Sequence, residues 1–345
     1  MRMYVASAGE ADSTGVYRVT LDTENGVMHA EPAAHAITNC LYLALHPTQP
    51  VLYAVGQAQI AAFRMLPDGG LSLINQQATG GDEPCYVSVT ADGQHALVAN
   101  YTGSLAVLPL RDDGGIDAMV QHILLPGEGA GVHAFRQDAP HPHMIVPLPN
   151  TDWVFVPDLG TDHVWVYRRD PQSGQLASHD PPFFSVQAGS GPRHLTFHPT
   201  QPIIYVLSEL TPLLTVITYD AAGHFQTVGT YPTLPPGEPI PDNNLGADIH
   251  ITPSGRLIYA SNRGHDSLAI FTVDASGQGV TSVGHQSTLG EWPRGFRLDP
   301  AGERLIVANQ HTDDLQVFRI DPSTGQLTLT GAQISVSAPV CVIVG

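Results

Sequence analysis

The chain has 345 residues, 42% hydrophobic and only 13% charged, with 34 glycines and 29 prolines, so it can bury a domain-sized core but is broken too often for long helices. Its 32 acidic residues outnumber 14 basic ones, all arginine, for a formal charge of −18, which opposes nucleic acid and anionic membranes as partners. The absence of lysine excludes a GK[ST] phosphate loop, a Schiff-base enzyme and a Ser–Lys nucleophile.

The N-terminal MRMYVASAGE enters an alternating pattern at once, with no basic leader ahead of an apolar stretch and no window approaching 18 apolar residues. Cys40, Cys85 and Cys341 are too sparse for a disulfide framework and lack C-x-x-C spacing, so a cytoplasmic protein with small core thiols is expected. MYVASAGEADSTGVYRVTLD reads as two strands. A repeated unit follows: an apolar run, a Pro/Gly turn, a second run, a polar break and a third run ending near Asp. Its copies are LYLALHPTQPVLYAVGQ from Leu41, YVSVTADGQHALVANYTGSLAVLPL from Tyr86, HMIVPLPNTDWVFVPDLGTDHVWVYRRD from His143, PRHLTFHPTQPIIYVLSELTPLLTVITYD from Pro192, DIHITPSGRLIYASNRGHDSLAIFTVD from Asp248 and RGFRLDPAGERLIVANQHTDDLQVFRID from Arg294.

The first-turn positions Pro47, Ala91, Pro149, Pro199, Pro253 and Pro300 are separated by 44, 58, 50, 54 and 47 residues. Periods near fifty built from short Val-, Ile- and aromatic-rich runs with partial period-two alternation predict β-propeller blades. The closing SAPVCVIVG reads as the first strand of a seventh blade whose remaining strands are N-terminal. This pairing protects edges that would otherwise invite aggregation. The expected architecture is an all-β, seven-bladed propeller spanning residues 1–345 as one domain.

If strand one of each blade descends and strand two returns, residues opening the first and closing the second share a rim. One rim holds His46, His198, Asp299 and the Pro/Gly turns, whose side chains are expected to support reversals; His163 is expected in a turn or loop, and Asp22, Asp220, Asp274 and Asp321, ending third strands, to cap turns. The other is chemically loaded, with His141 and His143 of APHPH, Arg193 and His194 of GPRH, Glu209 of SEL, Asp248 and His250 of ADIH, Arg263 of SNRG and Arg294 of WPRG; Tyr101 and Gln310 follow second strands there. Arginine forks suit carboxylate, phosphate or a developing oxyanion. A carboxylate or histidine beside them can deprotonate water, so the pattern points to attack on an ester-like carbonyl without a covalent enzyme intermediate. Each residue is individually as well explained as a brace between blades. APHPH and ADIH offer histidines and an acid but no H-E-x-x-H ligand set, GADIH and GEGAG lack the strand–turn–helix context of a dinucleotide fingerprint, and no GxSxG elbow occurs. Neither metal nor cofactor is expected.

GSGPRHLTFHPTQPIIYVLSEL, GADIHITPSGRLIYASNRG, EWPRGFRLDP, QDAPHPHMIVP and the repeated xYVxN pattern resemble the seven-bladed propeller lactonase family over essentially the whole chain. That family includes bacterial propeller 6-phosphogluconolactonases and fungal carboxymuconate-lactonising enzymes. The resemblance implies metal-independent hydrolysis of 6-phospho-D-glucono-1,5-lactone in the oxidative pentose phosphate pathway. It implies a catalytic quartet of His143, Arg193, Glu209 and Arg263. Either Glu209 or His143 would be the base, and His141, His194, Asp248, His250, Arg294, Tyr101 and Gln310 would bind substrate. The expected partner is a small anionic sugar lactone, met by a monomer or weak homo-oligomer. The alternatives are another lactone or dicarboxylate, opened or closed, and a non-catalytic interaction propeller, although WD and kelch signatures are absent.

Overall fold

The computed structural model describes residues 1–9, 15–34 and 37–345, and the regular elements among them are all β-strands. The N-terminal strands are β1 (Arg2–Ser7), β2 (Val16–Leu21) and β3 (Met28–Ala34). Next come β4 (Tyr42–Leu45), β5 (Val51–Gly56), β6 (Gln59–Met65) and β7 (Leu71–Ala78), then β8 (Pro84–Val89), β9 (His95–Asn100), β10 (Ser104–Pro109) and β11 (Gln121–Leu124). The middle of the chain gives β12 (Val146–Pro147), β13 (Trp153–Asp158), β14 (His163–Arg169) and β15 (Leu176–Ser185), followed by β16 (Pro192–Phe197), β17 (Ile203–Ser208), β18 (Leu213–Tyr219) and β19 (Phe225–Pro232). The last are β20 (Leu245–Ile251), β21 (Leu257–Arg263), β22 (Ser267–Val273), β23 (Val280–Ser287), β24 (Pro293–Leu298), β25 (Arg304–Asn309), β26 (Asp314–Ile320), β27 (Leu327–Ser335) and β28 (Pro339–Val344).

These strands form seven four-stranded sheets. Six are the consecutive quartets from β4–β7 to β24–β27, and the seventh runs β28-β1-β2-β3. The seven-bladed arrangement expected from the repeats is therefore present, with the C-terminal strand opening the blade that the N-terminal strands complete. No helix among the described residues is long and apolar enough to cross a membrane. The chain divides into two compact units: Met1, Thr20–Ala30 and Pro192–Val344, and Arg2–Val19, Glu31–Gly191 and Gly345.

The second strand of a blade departs from simple alternation. β5, β9, β13, β17 and β21 are buried along their whole length, because neighbouring sheets cover both of their faces. Within the first unit, Tyr205, Leu207 and Val216 pack against Ile258, Ala260 and Phe271, and Tyr259 and Ile270 pack in turn against Phe296, Val307 and Phe318. In the second, Tyr53, Val55 and Ala62 meet Val87, Val98 and Leu108. Each large apolar side chain buried this way contributes about 2 kcal/mol.

Sheets are also stapled through polar atoms. The third residue of a second strand is tyrosine in four blades, and its phenol donates to a glycine carbonyl in the last hairpin of the following blade. The pairs are Tyr4 to Gly69 (3.0 Å), Tyr53 to Gly114 (2.9 Å), Tyr205 to Gly277 (2.6 Å) and Tyr259 to Gly325 (2.9 Å). All four tyrosines are fully buried, so each hydroxyl needs its acceptor and each acceptor its hydroxyl.

The turns behave as expected. Asp22, Asp220, Asp274 and Asp321 accept backbone N–H groups of the following turn, and His46 and His198 do so through Nδ1. His163 differs from expectation. It opens β14 rather than occupying a loop, and its ring stacks on Phe183 at 3.7 Å. The three cysteines are free and buried.

Tyr53→Phe should cost about 1–2 kcal/mol by leaving the buried Gly114 carbonyl unsatisfied, read as a lower urea midpoint at unchanged slope. Burial, and then the charges of Asp113, Asp274 and Asp321, raise the hydroxyl pKa values of Tyr53, Tyr205 and Tyr259 above their ordinary value. The folded state therefore holds these protons more tightly than the unfolded chain. This stabilisation is complete below about pH 10 and is lost as pH rises beyond it. A denaturation series from pH 8 to 12 should show the decline, shallower in Tyr53→Phe.

Candidate functional site

The first strands of four blades are irregular at their openings. Pro192 pairs with Ser208 and His194 with Leu207, leaving Arg193 as the extra residue of a bulge; Arg294 in β24 and Cys85 in β8 occupy the same place. In β20 the register shifts between Gly246 and Ile249, around Ala247 and Asp248. Proline fits the first residue of such a strand, where no ladder donor is required. The bulge then re-aims the following side chain, and bulges recur beside active sites for that reason.

In the first unit, Arg193 from the β16 bulge meets Glu209, which follows β17, and Arg263, the last residue of β21. Arg193 Nε lies 2.7 Å from Glu209 Oε2, and Arg263 Nη2 lies 3.0 Å from the same oxygen. The Arg193 N–H points off this line, so that contact is an ion pair rather than an aligned hydrogen bond. With exposures of 2%, 1% and 5%, Arg193, Glu209 and Arg263 interact without the screening that weakens surface pairs. Two guanidiniums thus share one carboxylate.

Each arginine is also fixed to backbone. Arg263 Nη2 donates to the Gly246 carbonyl at 2.9 Å, and Arg193 Nη1 donates to the Ala247 carbonyl. Gly246 is required by close approach: its N–H donates to the Glu209 carbonyl at 3.0 Å, and a Cβ there would lie 2.1 Å from the Ser208 oxygen.

Arg193 Nη1 additionally donates to His194 Nε2 at 3.2 Å. The His194 proton therefore sits on Nδ1, which donates to Asp248 Oδ1 at 3.0 Å. Asp248 also accepts from the N–H groups of Ile249 and Phe296 and from His250 Nε2. Burial, then the Arg193 charge, push the His194 pKa down to about 4. Burial alone would raise that of Asp248, but His250 and His194 outweigh it and hold the carboxyl well below its usual range. A neutral imidazole thus joins an ionised carboxylate to Arg193.

In the second unit, Tyr101 follows β9 and stacks on His141 at 4.5 Å, with His143 edge-on to it at 5.7 Å. His141 Nδ1 donates to the Tyr101 carbonyl at 2.9 Å, and its Nε2 lies 3.0 Å from Asp138. The APHPH segment is anchored by Asp158, whose carboxylate accepts from the N–H groups of His141 and Gly160 and from Trp165 Nε1. Burial raises the Asp158 pKa.

Of the residues proposed from sequence, Arg193, His194, Glu209, Asp248, His250 and Arg263 form one bonded cluster, and Tyr101, His141 and His143 form a second. Arg294 and Gln310 are half-buried. β12 is only two residues long, so His143 precedes the strand it was expected to open and is placed by its N–H, which donates to the Pro157 carbonyl at 3.0 Å. Among the described residues no group of three His, Cys, Asp or Glu is arranged to hold a metal ion. Sequence reasoning passed over Asp158, over Trp292, whose indole centroid lies 5.3 Å from the Arg263 guanidinium carbon, and over Asp162, Asp266 and Asp313. The signal for these last three was available in the turns TDH, HDS and TDD that follow second strands.

Because the folded-state pKa of His194 lies below its unfolded value, the unfolded chain binds the extra proton between about pH 6.5 and 4, and stability should fall across that window by up to about 3 kcal/mol. Asp248 extends the loss below pH 4. In His194→Gln the decline between pH 6.5 and 4 should flatten, as measured by chemical denaturation at each pH.

The chain matches the family described as lactonase, 7-bladed beta-propeller, over residues 2–344. It is 35% identical over 347 residues to the 6-phosphogluconolactonase of Bacillus subtilis, covering 98% of this chain and 97% of that protein. It is 32% identical to the 6-phosphogluconolactonase of Formosa agariphila, with 86% of each covered. Among solved structures, the periplasmic gluconolactonase of Pseudomonas aeruginosa superposes with a TM-score of 0.91 at 32% identity, covering 99% of this chain and 98% of that one.

Proposed function

Because the chain belongs to the lactonase family of seven-bladed β-propellers, we propose that it hydrolyses 6-phospho-D-glucono-1,5-lactone to 6-phosphogluconate without a covalent enzyme intermediate. The observation that carries this reading is the buried Arg193–Glu209–Arg263 cluster, supported by the relatives of that name that align over nearly the whole chain. Water attacks the lactone carbonyl, negative charge gathers on its oxygen, and the ring oxygen leaves with a proton. Guanidinium groups held rigid before reaction stabilise such charge without reorganisation. Arg193 is held through Nε and Nη1 by Glu209, His194 and the Ala247 carbonyl.

His194 and Asp248 are buried and engaged with protein partners, so in this reading they hold Arg193 rather than grip the sugar. Glu209 is already bridged by both guanidiniums, so in this reading it aligns the arginines and His143 is the group that takes the proton of water. His141, Tyr101, His250, Arg294 and Gln310 are assigned to hydroxyl and phosphate binding.

Arg193→Met should lower kcat/KM about 10²- to 10³-fold, measured above the spontaneous hydrolysis rate; activity equal to the parent's would end this role. His143→Gln should abolish the rise of kcat with pH that a histidine base produces, whereas Glu209→Gln should lower activity without removing that pH dependence.

A second reading, an unphosphorylated sugar lactone as substrate, is favoured by the likeness to the Pseudomonas gluconolactonase. Comparing kcat/KM for phosphorylated and unphosphorylated gluconolactone separates the two. A site tuned to phosphate should prefer the former by about a hundredfold or more, and equal values would support the second reading.

A further inference from the structure

Three blades share a device between the end of one sheet and the proline that opens the next. An aspartate in the left-handed region of the preceding hairpin, Asp162, Asp266 or Asp313, accepts the N–H of the residue just before Pro192, Pro293 or Pro339. Those residues are Gly191, Trp292 and Ala338, with φ of +61°, +65° and +37°. The slot needs no side chain, since glycine and alanine fill two of its copies.

Tryptophan is costly in the third. A bulky residue at positive φ is strained, and the following proline restricts this backbone further. Trp292 is nevertheless held there by its N–H to Asp266 Oδ1 (2.8 Å) and by its carbonyl, which accepts the Gln310 N–H at 3.0 Å. The Arg263 guanidinium carbon lies 5.3 Å from the indole centroid, within cation–π range. His311 stacks on the same indole at 4.8 Å and 12°.

We propose that Trp292 is a positioning residue for Arg263: its indole fixes the guanidinium through the ring face, a contact that consumes none of the N–H groups needed for the developing oxyanion or the phosphate. Glu209 and the Gly246 carbonyl hold the same guanidinium in its plane, and the indole supplies the remaining constraint. This inference rests on the lactonase reading above and adds a residue to it.

Trp292→Ala places in the slot the residue that Ala338 already provides, so folding should survive. Its kcat/KM should nonetheless fall about tenfold, carried mainly by kcat, with Trp292→Phe recovering part of the loss. In an Arg263→Lys background the same substitution should cost less than twofold, because a residue acting through Arg263 has nothing left to position. A tenfold penalty in both backgrounds, or parental activity in Trp292→Ala, would overturn the assignment. If the parent protein opens no lactone, the lactonase reading fails. The contact is then judged by tryptophan emission: Arg263→Lys should shift it in the parent and not in Trp292→Phe, and identical shifts in both would overturn the contact as well.

Discussion

The hydrogen bond from a buried tyrosine to a glycine carbonyl of the following blade sets the terms for much of this protein. A four-stranded sheet with its second strand buried on both faces cannot stand alone, and apolar packing by itself does not fix how far one sheet slides along the next. A phenol deep in that interface must find its acceptor or remain unsatisfied, at a cost of about 1–3 kcal/mol, so each clasp selects one register between neighbouring sheets. The blades without tyrosine at this position carry Leu97, Phe155 and Ile306. In the first of these, His95 packs its ring against Gly174 instead, where even a methyl group would clash.

With sheet spacing fixed, the openings of first strands become places where irregular backbone can be tolerated. The bulges at Cys85, Arg193, Ala247–Asp248 and Arg294 all fall there. A buried guanidinium is expensive to desolvate, and the structure meets that cost with carbonyl acceptors from β20, a shared carboxylate and the His194–Asp248 pair. Removing any one member leaves a buried charge short of a partner, so the cluster is rigid as a unit. Rigidity of this kind suits stabilisation of charge that appears only as a reaction proceeds.

The cluster also shows how a repeat acquires chemistry. Asn100 and Asn309 end second strands and Asn262 is the penultimate residue of another, and these amides donate to the carbonyls of Thr79, Thr233 and Thr288. In the blade that carries Glu209 the same place is held by Ser208, too short for that reach. That brace is absent next to the carboxylate, where the two arginines bond Glu209 and the carbonyls of β20 instead.

How much was legible in the sequence follows from range. The blades, their order and the C-terminal closure were visible because apolar runs and Pro/Gly turns are local signals with a period, and because edge strands require partners. That same period marked Arg193 at the opening of a first strand and Glu209 and Arg263 at the ends of second strands. The partition of roles among them did not follow from it, nor did the helper residues Asp158, Asp162, Asp266 and Trp292. Which arginine donors are already engaged, that His194 carries its proton on Nδ1, and that a tryptophan occupies a left-handed slot all depend on atoms some fifteen to fifty residues apart in sequence. The sequence by itself determined seven repeated sheets with arginines at the openings and ends of their inner strands. Only tertiary structure decided which of those charges neutralise one another, because Coulombic and hydrogen-bond energies act over a few ångströms and take no account of separation along the chain.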